Sequence, residues 1–69
     1  MAETLGNRIK ELRSEIGLTQ ADLAARVGVT RKTINTVENG VFTPSALLAL
    51  KIAQAFDKPV EAVFFLEDD

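Results

Sequence analysis

The stretch from Thr19 to Gly40, TQADLAARVGVTRKTINTVENG, leaves this chain few ways to fold. It reads as two short helices meeting at a tight turn. Thr19 is a good N-cap, and Asp22 is placed to reach back toward the freed amides. Leu23, Ala24 and Val27 share one face at helical spacing. Gly28 supplies the backbone freedom of a sharp helix end, and Val29 closes the corner. From Thr30 a second helix turns Ile34 and Val37 inward and leaves Arg31, Lys32, Thr33, Asn35 and Thr36 outside. That outer face mixes cationic, amide and hydroxyl groups, and a helix has the width of the DNA major groove.

These residues resemble the helix-turn-helix of the phage repressor and Cro family, the XRE-like regulators. In that family a small alanine sits where the helices cross, a glycine occupies the turn, and apolar residues lock the pair. Ala24, Gly28, Leu23, Val27, Val29, Ile34 and Val37 match those positions. GLTQADLA and Glu38-Asn39-Gly40 look like family signatures, and PSALLALKIAQAFDKPVEAVF is similar to the smallest members. The resemblance covers nearly the whole chain. It implies an all-α, compact five-helix, repressor-like DNA-binding domain over residues 1–69, its motif at about 19–40, with room for a short C-terminal strand.

Length agrees with a single small core. A 69-residue chain buries only about 60% of its unfolded surface, so it gains from a partner subunit. Cysteine is absent, which removes disulfides and thiolate metal sites. No apolar run approaches the roughly 20 residues that span a bilayer, and Met1-Ala2-Glu3 lacks the basic start of a signal peptide. A cytoplasmic location is the expectation.

The formal net charge of −2 is unusual for a nucleic-acid binder. Distribution matters more than the sum. Arg26, Arg31 and Lys32 lie in a segment with no acid, whereas Glu3, Glu11, Glu15, Asp57, Glu61 and the tail Glu67-Asp68-Asp69 lie elsewhere. At a screening length of about 10 Å, a distant acidic tail weakens a local basic patch only slightly.

Before the motif, Leu5, Ile9, Leu12 and Ile16 recur every three or four residues. They predict a first helix from about Thr4 to Glu15 with one buried stripe, stopped by Gly17. Most of its charges, Arg8, Lys10, Glu11 and Glu15, suit a solvated face. The resemblance implies a different role for Arg13, pairing with Glu38 to tie the first helix to the end of the second motif helix.

After the motif, Pro44 suits a first helical turn, with Thr43 or Ser45 as cap. From Ala46 to Phe56 the chain is apolar on nearly every side, which predicts a central helix covered on several faces, with Leu47 nearest to solvent. Pro59 sets up a last helix through Val63, and Phe64-Phe65-Leu66 follow. Either Phe64 completes the core, or this segment carries exposed apolar surface. We expect the second, with Val63, Phe64, Phe65 and Leu66 in a dimer contact built from residues 59–69. By resemblance to the smallest members, that contact can include a strand pair.

Catalysis has little to work with, because His, Cys, Tyr and Trp are all missing. No glycine-rich phosphate loop is present, and neither a metal, a cofactor nor a small-molecule ligand is expected. Carried over by position, the resemblance implies base reading by Arg31, Lys32, Thr33, Asn35 and Thr36. Arg31 or Lys32 can donate to guanine, Asn35 can bridge adenine N6 and N7, and threonine methyls can touch thymine. It implies phosphate contacts by Gln20, at the start of a helix whose amides aim at the same group, and by Thr19, Asn39 and the Gly40 amide. Val41 and Phe42 stand where many relatives carry a cation, so this loop can offer only amides and apolar contact, and Phe42 can equally be core.

The function expected is sequence-specific binding of double-stranded DNA by a homodimer at a palindromic operator, as a transcriptional repressor. The alternative is an antitoxin-like protein-interaction module that also regulates its own operon.

Overall fold

The computed structural model describes residues 3–68; Met1, Ala2 and Asp69, named above for the chain start and the acidic tail, lie outside them. Among the described residues the order is β1 (Glu3–Asn7), α1 (Ile9–Ile16), α2 (Gln20–Val27), α3 (Arg31–Glu38), α4 (Ala46–Ala55), α5 (Val60–Val63) and β2 (Phe64–Asp68). Five helices and a two-stranded antiparallel sheet make up the fold of the described residues.

The first helix starts later than its apolar spacing suggested. Residues from Glu3 to Asn7 form a strand paired with β2, in a register that sets Leu5 against Leu66, Gly6 against Phe65 and Asn7 against Phe64. Asn7 then turns the chain into the helix, its Oδ1 accepting from the Ile9 amide at 3.1 Å. Glycine is a poor interior helix residue, and a partner strand decides the conformation of this segment. Gly6 fits because the Phe65 ring lies over it. An added Cβ would sit 2.7 Å from Phe65 Cζ and from Glu67 Cδ. The Arg8 guanidinium lies against that ring, 4.5 Å from its centroid. Gly6→Ala is therefore expected to cost about 1–3 kcal/mol by overpacking. Urea denaturation measures it, and unchanged stability would mean that the ring yields freely.

Ile16 was expected on the buried stripe but is 56% exposed. The helix ends there. Gly17, at φ 68°, reverses the chain, and the Leu18 amide bonds back to the Arg13 carbonyl at 2.9 Å. Leu18 takes the place in the core that Ile16 would have filled. Gly28 repeats the device at the end of α2, with the Val29 amide on the Ala24 carbonyl at 3.0 Å.

The core gathers Ile9 and Leu12 from α1, Leu23, Ala24 and Val27 from α2, and Ile34 and Val37 from α3. Leu48, Ile52 and Ala53 of α4, with Phe56, Val63 and Phe64, close it from the other side. Ser45 caps α4 through the Leu48 amide at 3.1 Å, and Pro44 lies before the cap rather than in the first turn. Coverage of α4 is less complete than its composition suggested. Leu47 and also Leu50 are 66% and 57% exposed, because so small a domain packs α4 along one side only.

The C-terminal segment is corrected as well. Val63 and Phe64 belong to the chain's own core, so their side chains cannot form a surface for a second copy. The strand pair lies within one chain, between β1 and β2. Phe65 is half-buried, and Leu66 is exposed.

Candidate nucleic-acid interface

The α2–α3 corner is built from local signals. Thr19 caps α2 through the Asp22 amide, and the Asp22 carboxylate accepts from the Thr19 amide at 3.1 Å, completing a capping box. That backbone bond, then the Thr19 hydroxyl and the Arg26 charge, hold the Asp22 carboxyl below its ordinary 3.8. A lowered carboxyl stabilises the fold above the ordinary value, and the contribution is lost as pH falls through the lowered one. Thr30 caps α3 through the Thr33 amide at 3.2 Å.

With Ile34 and Val37 buried, the opposite face of α3 is left to solvent. Arg31, Lys32 and Asn35 are exposed, and Thr33 and Thr36 are half-buried beside them. Among the described residues neither Arg31 nor Lys32 makes an ion pair, so both charges stay available to an anion. The Thr36 hydroxyl donates to the Thr33 carbonyl at 2.9 Å, which leaves its methyl group as the freer part.

A hydrogen-bonded chain fixes this face to the rest of the domain. Arg13 meets Glu38 in a two-pronged pair, Nε to Oε2 at 2.5 Å and Nη2 to Oε1 at 3.1 Å. Arg13 also donates to the Leu18 carbonyl at 3.0 Å. Gln20 Nε2 donates both to Glu38 Oε1 and to Asn35 Oδ1, each at 3.1 Å. Asn39 Nδ2 adds a second bond to Asn35 Oδ1 at 3.2 Å, and Arg31 Nη1 reaches Gln20 Oε1 at 3.4 Å. From the other side Asn7 Nδ2 donates to the Val37 and Glu38 carbonyls at 3.1 and 3.4 Å, serving the open C-terminal end of α3. The sequence reading did not single out Asn7, and no periodic pattern marks such a residue.

The residues expected to meet phosphate fare unevenly. The Thr19 hydroxyl accepts from the Asp22 amide and also supports the Asp22 carboxylate. Gln20 has both Nε2 hydrogens engaged within the chain. What remains at that end of α2 are the Gln20 and Ala21 amides, which precede the first intrahelical bonds. Asn39 is exposed with one amide hydrogen uncommitted. The Gly40 amide is already bonded to the Val37 carbonyl at 3.1 Å. The Val41 and Phe42 amides both go to the Thr36 carbonyl, at 2.9 and 3.2 Å. This loop therefore presents apolar side chains rather than free amides, and Phe42 is exposed rather than core.

Among the described residues no cluster of acidic side chains could hold a metal ion. No helix among them is long and apolar enough to cross a membrane.

The Helix-turn-helix family model matches residues 9–63. The HTH-type transcriptional regulator YgzD of Bacillus subtilis is 49% identical over 63 residues, 91% of this chain and 96% of that protein. An HTH-type transcriptional regulator of Methanothermobacter thermautotrophicus is 50% identical over 62 residues, 88% of this chain and 90% of its own length. Among solved structures, the restriction-modification controller protein C.AhdI from Aeromonas hydrophila superposes with a TM-score of 0.76 at 36% identity, covering 80% of this chain and 83% of that one. A Bacteroides fragilis protein reaches 0.80 at 24% identity, over 90% of this chain and 100% of its own, a likeness of fold. The chain belongs to the helix-turn-helix family of DNA-binding transcriptional regulators, of the XRE type.

Proposed function

We propose that the protein is a sequence-specific repressor that binds a palindromic operator as a homodimer, laying α3 in the major groove of each half-site. The observation that carries this reading is the exposed face of α3. Arg31, Lys32 and Asn35 stand together on it, neither cation is neutralised within the described residues, and the Arg13–Glu38 pair anchors the helix behind them. Phosphate contact falls to the Asn39 amide and the first amides of α2.

A single module covers roughly 600–1,000 Å², and specific complexes usually bury about 1,000–2,500 Å². A two-fold pair spaced about 34 Å apart closes that gap. Leu66, Leu47 and Leu50 are among the exposed apolar groups open to a second copy. The same leucines suit a different protein partner, which keeps an antitoxin-like role as the second reading.

Selection of bound duplexes from a random pool tests the proposal. A palindromic consensus is expected, and Arg31→Ala is expected to relax one position in each half-site by about 1–3 kcal/mol. Uniformly weaker binding with an unchanged consensus would assign Arg31 to phosphate. Recovery of no consensus would sink the proposal.

A further inference from the structure

The amide chain behind α3 has a direction, and that direction decides what Asn35 can say to a base. Glu38 is a carboxylate in an ion pair with Arg13, so toward Gln20 it offers only acceptors. The Gln20 atom facing it must then be the Nε2 donor, which turns Gln20 Oε1 toward Arg31. The second Nε2 hydrogen lies on Asn35, so the Asn35 atom there must be the carbonyl oxygen. Asn39 Nδ2 takes the other lone pair of that oxygen. Both acceptor positions of Asn35 are filled from inside the protein. Its NH2 group has no partner among the described residues, and the residue is exposed.

Resting on the reading of α3 as the base-contacting helix, we infer that Asn35 meets DNA as a donor only and selects guanine over adenine. Guanine presents two acceptors in the major groove, O6 and N7, and either satisfies an amide hydrogen. Adenine presents N7 beside an N6 donor, and that donor needs the carbonyl oxygen that Gln20 and Asn39 already occupy. The bridging of adenine N6 and N7 that asparagine side chains commonly make is therefore closed to Asn35 while the network holds. Gln20 is the positioning residue. It passes the polarity of the Arg13–Glu38 pair to the DNA-facing surface.

The experiment is selection of bound duplexes with the full chain and with three variants, reading base ratios rather than total affinity. Asn35→Ala identifies the position that Asn35 contacts. There the unaltered protein is expected to prefer guanine to adenine by about tenfold or more. Asn35→Asp keeps an acceptor for Gln20 and Asn39 but turns an acceptor outward, and should replace guanine with cytosine, whose N4 donates. Gln20→Ala frees the carbonyl oxygen and should lower the guanine-to-adenine ratio at that position by about fivefold or more. If thermal melting shows that Gln20→Ala does not fold, the Asn35→Asp result decides. Adenine at that position in the unaltered protein, no position relaxed by Asn35→Ala, or a ratio unmoved by both other variants would overturn the inference and leave the DNA-binding reading standing. Failure of the unaltered protein to select any sequence would overturn both.

Discussion

Glu38→Ala is expected to remove about 3–5 kcal/mol of folding stability, enough to leave so small a domain largely unfolded near room temperature. The size follows from burial. An ion pair in open solvent contributes about 0–1 kcal/mol, but here the side chains of Arg13 and Glu38 are only 13% and 5% exposed. Removing the carboxylate strands a guanidinium that keeps only the Leu18 carbonyl as partner. It also takes an acceptor from Gln20. Replacing both partners with apolar residues, Arg13→Met with Glu38→Leu, leaves no orphaned charge and is expected to recover most of the loss. Urea unfolding of the single and double variants measures this. A loss below about 1 kcal/mol for Glu38→Ala would place the pair with ordinary surface bridges.

Ile34→Ala is expected to cost about 2–5 kcal/mol, by lost burial and by the cavity it leaves. Ile34 is fully buried on the inward side of α3, within the core shared with α2. The loss should appear with little change in the dependence of unfolding on urea. Lys32→Ala, two residues away on the outer side, should stay within about 0.5 kcal/mol. Equal costs for the two would contradict the assignment of faces on which the DNA reading depends.

The two-helix corner was legible because its signals are local. Thr19 with Asp22, Gly28 and Thr30 fix the helix ends within a few residues of themselves, and Ile34 and Val37 keep the period between them. The start of the chain was not legible for the opposite reason. Leu5 is in helical phase with Ile9, so spacing alone cannot distinguish a longer helix from a strand whose partner lies at Phe64–Asp68. Ile16 kept the phase but fell at the end of α1, where the turn at Gly17 passes its place to Leu18.

Composition misled in a similar way on α4. Apolar residues on nearly every side suggested burial all round, but Leu50 stays outside with Leu47. The site was legible as a set of exposed residues and illegible as a network. Nothing in the spacing of Gln20, Asn35 and Asn39 says which amide donates to which, or that the Gly40 amide is spent on Val37.

The most direct measurement follows the backbone amide resonances of the isotope-labelled protein during titration with the selected duplex. The largest shifts are expected from Arg31 to Thr36 and at Gln20 and Ala21, with β1 and β2 little changed. Shifts confined to the sheet or to the Leu47 and Leu50 face, with α3 silent, would contradict the claim that this helix reads DNA.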